Sequence, residues 1–228
     1  MKKRAFLFMT VGAAACVAGF QNGHLGWPLA WFGVDFIIVG AAYFRHAHGV
    51  FGKCRDGRLP LWSWILFLPY LAYTSLVWHL IRLLSREPAC NEVSPSLIVG
   101  RRLINGEFPN GIINYVDLTA EFQEPKQARR SPGYFSFPIL DTSAPEPRRL
   151  KEIIASLKPG RTFVHCAQGH GRTGLFALAT LLANRRVTSV DDGLRVLQTA
   201  RPGIRLSREQ RRCLDEFSLL MVPQGGAA

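Results

Sequence analysis

The chain has 228 residues, with 28 Lys and Arg against 16 Asp and Glu, for a formal charge of +12. Its 48% hydrophobic content excludes a disordered protein. Its five cysteines, odd in number and without paired spacing, argue against a disulfide-stapled scaffold and a cysteine-based zinc site.

Charge divides the chain. Residues 1–84 hold eight basic and two acidic side chains, and residues 85–228 hold twenty and fourteen. This contrast is expected of two regions in different solvents. After Met1-Lys2-Lys3-Arg4, an uncharged stretch runs from Ala5 to Phe20. A second runs from Leu25 to Phe44 with Asp35 as its only charge, and a third from Leu59 to Ile81 has none. About 20 residues, at about 1.5 Å each, cross a hydrocarbon core of about 30 Å. The second and third stretches are long enough. The first is short and reads as a span, with a cleaved signal peptide as the alternative. All five tryptophans (Trp27, Trp31, Trp62, Trp64, Trp78) fall near the ends of these stretches, where indoles favour the membrane interface. Pro69 predicts a kink or a re-entrant turn in the third. Residues 1–84 are therefore expected to be a transmembrane helical region of about three spans.

Orientation is read from the flanking charge. Arg45, Lys53, Arg55 and Arg58 place the second loop and the amino terminus in the cytoplasm. Three crossings then leave the remainder outside, whereas Arg82, Arg86, Arg101 and Arg102 argue the other way. The small, basic chain fits a bacterial inner membrane.

Residues 85–95, with Pro88 and Pro95, read as a linker. From residue 96 to 222, short apolar runs alternate with helical patterns, the mark of an α/β domain. Strands are predicted at Ser96–Val99, Ile112–Leu118, Tyr134–Ile139 and Thr162–Cys166. Helices are predicted at about Glu146–Leu157, Arg172–Asn184, Ser189–Ala200 and Ser207–Leu220. Residues 223–228 are expected to be a loose tail, and no internal repeat is visible.

The chemistry lies in Thr162 to Gly174. A strand ends at Cys166, a loop containing Gly169 and Gly171 follows, and Arg172-Thr173-Gly174 opens a helix. Such a loop can curl its N–H groups around one anion, and the helix amino terminus adds positive charge. The candidate phosphate-binding positions are Ala167, Gln168, Gly169, His170, Gly171 and Arg172. Main-chain donors favour the thiolate, which is the nucleophilic form of cysteine. A guanidinium at Arg172 can hold two phosphate oxygens, which a lysine does not. Thr173 offers its hydroxyl to the sulfur, and His165 backs the loop. The cradle and Arg172 supply the positive charge, so no metal or other cofactor is expected.

His-Cys, five residues, then Arg-Thr-Gly resembles the active-site signature of the Cys-dependent protein tyrosine and dual-specificity phosphatases. Phe137-Pro138-Ile139-Leu140-Asp141 resembles that family's strand and general-acid loop, and Arg201-Pro202-Gly203-Ile204 with Ser207 and Gln210 resembles its closing stretch. Val116-Asp117-Leu118-Thr119 is similar to its central strand. The resemblance covers about residues 92–220. It implies a central mixed sheet flanked by helices, with Cys166 as nucleophile, Asp141 as general acid and then base, and Arg172 and the loop amides on the equatorial oxygens. It also implies that Gln210 positions the hydrolytic water. The loop departs from lipid-directed relatives, having Ala167 and His170 where those carry lysines.

The implied activity is membrane-anchored hydrolysis of phosphate monoesters on phosphotyrosine, phosphoserine and phosphothreonine proteins. Phospholipid headgroups, of phosphoinositide or phosphatidylglycerophosphate type, are the alternative substrate. A phosphate-recognition module without turnover is a reading of another class, and a redox or arsenate-handling enzyme a third; the latter wants a resolving cysteine near Cys166. The pairs Arg101-Arg102, Arg129-Arg130, Arg148-Arg149 and Arg211-Arg212 suit an anionic membrane surface. They are not interleaved with aromatics as nucleic-acid binding would require. A nucleophilic thiol is easily oxidised, which favours the cytoplasmic face. The sequence gives no oligomeric state.

Overall fold

The computed structural model describes residues 2–131 and 133–221. The tail expected at 223–228 lies outside them. The chain forms two units: residues 1–86 with 120–123, and residues 87–119 with 124–228.

The first unit contains helices α1 (Lys2–Gln21), α2 (Trp27–Arg45) and α3 (Leu61–Leu84), with a 3-10 turn at Gly23–Gly26. All three are long and apolar enough to cross a membrane. Small residues recur at every seventh position through the first two: Ala5, Gly12, Gly19, Gly26, Gly33 and Gly40. A period of seven keeps one stripe facing a neighbouring helix, and small residues there let backbones approach closely. The helices run antiparallel on this stripe. A Cβ on Gly12 would lie 2.6 Å from the Gly33 carbonyl oxygen, one on Gly33 2.6 Å from that of Gly12, and one on Gly40 2.9 Å from that of Ala5. A search for repeated sequence misses this stripe because only one residue in seven recurs.

Helix α3 breaks at Phe67 (φ −103°, ψ 15°) and continues through Pro69 to Leu84. The break separates the Tyr70 N–H from its ordinary acceptor, the Leu66 carbonyl. Both are capped from α2: Tyr70 N–H donates to Asp35 Oδ2 at 2.7 Å, and Trp31 Nε1 donates to Leu66 O at 3.0 Å. Trp31 and Asp35 are one helical turn apart and therefore share a face. The acid inside the second apolar stretch thus replaces a lost helical hydrogen bond.

In the second unit, five strands among the described residues form one sheet in the order β1-β2-β5-β3-β4. They are β1 (Cys90–Ser94), β2 (Leu97–Arg101), β3 (Asn114–Thr119), β4 (Tyr134–Ile139) and β5 (Thr162–Cys166). β1 pairs antiparallel with β2 and the other pairings are parallel. Strand β1 occupies residues read from sequence as linker. It is a short, half-buried edge strand without a continuous apolar run, so it left no strand signal. Strands β3 and β5 are buried at every residue, as expected for parallel strands covered on both faces.

Helices α5 (Pro147–Ser156), α6 (Gly171–Ala183), α7 (Val190–Ala200) and α8 (Arg208–Met221) follow the sequence periodicity. A single turn, α4 (Lys126–Arg129), was not anticipated. The core on one face joins Val99, Val116, Val164, Leu175, Phe176 and Leu214; the other joins Ile98, Leu103, Tyr115 and Phe163. Strand β5 is central, and its carboxyl end opens where an α/β sheet ordinarily binds ligands.

Candidate active site

Cys166 ends β5, 3% exposed, in register with Arg101 of β2. The loop 167–170 then turns into α6. Gly169 adopts a left-handed backbone (φ 76°), and a side chain there would collide with the Gly100 backbone. Only glycine suits both constraints.

The carbonyls of this loop are held from outside. The Arg102 N–H donates to Ala167 O at 3.2 Å. Arg201 donates from Nη2 to Gln168 O at 3.0 Å and from Nε to Gly169 O at 3.0 Å. In a planar trans peptide the C=O and the next N–H point in opposite directions. Drawing three consecutive carbonyls outward therefore turns the N–H groups of Gln168, Gly169 and His170 to the inner side, which is a nest for an anion.

Arg201 is 1% exposed and itself anchored: Nη1 donates to Pro88 O (2.9 Å) and Asn91 Oδ1 (2.7 Å), and Nη2 lies 3.0 Å from Glu87 Oε2. Burial lowers its pKa, and the charge of Glu87 works against that. Glu87 also takes a 2.7 Å hydrogen bond with His170 Nε2. Burial pushes the Glu87 carboxyl up, but the His170 hydrogen bond and the charge of Arg201 outweigh it, leaving the pKa below its ordinary value. A side chain on Gly203 would run into both Glu87 and His170. His170, expected among the phosphate contacts, thus has its ring engaged by Glu87 at the loop edge.

Arg172 is the second residue of α6 and is 2% exposed. Its Nη1 donates to Ile139 O at 2.9 Å, and its Nη2 lies 3.7 Å from Asp141 Oδ1. The Asp141 side chain is half exposed. Its loop is pinned from α8 and the residue just before it: Ser207 Oγ donates to Thr142 O at 2.7 Å, and Gln210 Nε2 donates to Ser143 O at 3.1 Å. Gln210 is fully buried, and its Oε1 accepts the Ser207 N–H at 2.9 Å. Each end of its amide makes one hydrogen bond inside the protein, so it braces the Asp141 loop from beside Gly171. Thr173 Oγ1 lies 3.5 Å from Gly100 O.

His165 is fully buried behind the loop, its Nδ1 3.4 Å from Cys166 O and its ring stacked on Phe163. Its Nε2 lies 3.7 Å from both Asp117 Oδ1 and Glu124 Oε2. These three side chains are the metal-capable cluster among the described residues, and several of their donor atoms are used by protein groups. Asp117 Oδ1 accepts from Thr119 N and Oγ1, and Oδ2 from Tyr134 OH. Glu124 Oε1 is paired with Arg102 at 2.9 Å. Burial, reinforced by these carboxylates, pushes the Tyr115 and Tyr134 hydroxyls far up. The set is a buried polar network beneath the loop.

Sequence reasoning missed Arg201, Glu87 and Arg102. Their partners lie between 22 and 114 residues away in the chain, so no local pattern marks them. Several arginines read as a membrane-facing surface also pair with acids of the chain: Arg102 with Glu124, and, on the exposed surface, Arg149 with Glu152, Arg211 with Asp191 and Arg212 with Glu216.

No protein-family model matches the chain, and no curated protein matches it. Solved structures do match the second unit. Human DUSP28 is 19% identical, aligning over 59% of this chain and 96% of its own, with a TM-score of 0.51. A mouse putative dual specificity phosphatase complexed with zinc tungstate is 21% identical (60% and 91% coverage, TM-score 0.51). The human tyrosine phosphatase-like serine/threonine/tyrosine-interacting protein is 16% identical (59% and 98% coverage, TM-score 0.51). The second unit has the fold of the dual-specificity and protein tyrosine phosphatases.

Proposed function

We propose that this protein is a membrane-anchored, Cys-dependent phosphatase acting on phosphotyrosine, phosphoserine and phosphothreonine proteins. Residues 1–84 anchor it by three spans, and the sheet unit that begins at Glu87 catalyses. The observation that carries this reading is the outward tethering of three consecutive loop carbonyls beside Cys166, with buried Arg172 six residues on.

Cys166 Sγ attacks phosphorus as the bond to the leaving oxygen breaks, and Asp141 gives that oxygen its proton. The equatorial oxygens, whose charge matters most in the transition state, lie among the loop N–H groups and Arg172. Water then attacks the phosphocysteine, Asp141 takes its proton, and the S–P bond breaks to return the thiolate and release phosphate. Arg201, Glu87, Gln210 and His165 act as positioning residues. The domain faces the cytoplasm, where reducing conditions protect the thiol; an active alkaline phosphatase fused to the carboxyl terminus would put it on the other side.

Phospholipid monoesters are a second reading, supported by the apolar helices immediately before the domain. Purified full-length protein should hydrolyse an aryl phosphate and phosphopeptides. Turnover of lipid phosphates alone would select the second reading. Phosphate binding without turnover of any substrate would leave only a recognition module.

A further inference from the structure

The helical unit contains a cleft of about 650 Å³ where the start of α1 meets the end of α2. Phe6, Met9 and Phe44 line it and are 74%, 39% and 60% exposed. Ala41 and the cations Lys2, Lys3 and Arg45 complete the lining, and no acidic residue contributes to it. The acids of this unit are engaged elsewhere. Asp35 is buried against the Tyr70 N–H, Asp56 pairs with Arg58 at 3.1 Å, and Glu121 accepts from the Ala120 N–H. Three cations therefore gather at one apolar cleft without a counter-charge from their own unit.

We infer that this cleft binds one anionic phospholipid, with its headgroup phosphate on Lys2, Lys3 and Arg45 and an acyl chain along Phe6, Met9 and Phe44. The inference rests on α1 and α2 being membrane spans. Charge complementarity selects an anionic headgroup over a zwitterionic one, because basic groups near a bilayer surface attract anionic lipid. The apolar wall selects a lipid over free phosphate, which would satisfy the cations and leave Phe6 and Phe44 uncovered.

Full-length protein in mild-detergent micelles is heated with added phosphatidylglycerol, phosphatidylcholine or inorganic phosphate. Phosphatidylglycerol alone is expected to raise the melting temperature, by mass action on the folded state. The triple variant Lys2→Gln, Lys3→Gln, Arg45→Gln should bind it on the order of 100-fold more weakly, and Arg45→Gln alone about fivefold. A charge-matched control, Lys53→Gln, Arg55→Gln, Arg58→Gln, should keep the shift. Equal loss in the control would reduce the site to a diffuse field and overturn it, as would equal stabilisation by phosphatidylcholine or by phosphate. Alkaline carbonate extraction tests the premise separately: release of the chain from membranes removes the spans, whereas a retained chain with no phosphatidylglycerol preference removes the site alone.

Discussion

The two units use their charges in opposite ways. In the sheet unit the buried or partly buried arginines are matched to fixed acceptors: Arg102 to Glu124, Arg172 to Ile139 O and Asp141, Arg201 to Gln168, Gly169, Pro88, Asn91 and Glu87. In the helical unit the buried charge is an acid that caps a broken helix, while Lys2, Lys3 and Arg45 line an open cleft. A buried guanidinium is costly unless paired, and each pairing fixes a piece of backbone. The sheet unit thus converts charge into a preorganised loop, and the helical unit leaves charge available to an outside partner.

The largest effect that tests this contrast is on the nucleophile. Cys166→Ser should lower kcat on the order of 10⁴-fold or more and retain phosphate binding, because the loop amides are untouched. Residual turnover near the wild-type rate would assign the nucleophile elsewhere. Next comes Arg201→Lys, which removes the two-pronged grip on Gln168 and Gly169 without altering a group that touches substrate. Misplacement of the loop should cost about 10²-fold in kcat, measured where the variant is still folded. A lower melting temperature with unchanged kcat would show that Arg201 serves only stability.

A smaller effect is expected in the helical unit. Gly33→Leu forces a side chain into the Gly12 backbone and should cost about 1–3 kcal/mol through overpacking. Asp35→Leu strips the cap from the Tyr70 N–H and should cost about 1–3 kcal/mol, with Asp35→Asn milder because its carbonyl still accepts. Aryl phosphate turnover per folded molecule should be unchanged in all three, since the sheet unit has its own core.

What the sequence disclosed follows the range of the forces involved. Strands β2 to β5 and helices α5 to α8 were legible because apolar periodicity is local. Cys166, Arg172 and the glycines were legible because a strand, an anion loop and a helix start must be contiguous in the chain. Arg201 was visible as part of a closing stretch but not as the residue that orients the loop, because its acceptors come from two distant segments. The bracing by Gln210 was hidden for a related reason: Ser207 is three residues away, but Ser143 is 67 residues away and is brought to the amide only by the fold. Asp35 carried no meaning until the break at Phe67 supplied an orphaned N–H.

The smallest expected effect concerns Glu87, the carboxylate shared by His170 and Arg201. Its folded pKa lies below the ordinary value of 4.5. The folded state therefore binds its proton less readily than the unfolded chain, and Glu87 contributes stability that is fully present above 4.5 and lost as pH falls through the folded value. Comparison of wild type with Glu87→Gln by thermal melting should show a constant margin from neutral pH down to about the ordinary carboxylate value, closing in stronger acid. The side chain is partly exposed and screened, so the margin should be modest. The loop should also respond: Glu87→Gln keeps a partner for His170 but weakens the hold on Arg201, lowering kcat several-fold, well short of the roughly 10²-fold expected of Arg201→Lys. A margin that widens on acidification, or a kcat loss as large as that of the arginine variant, would mean that Glu87 acts on the site directly and not through Arg201.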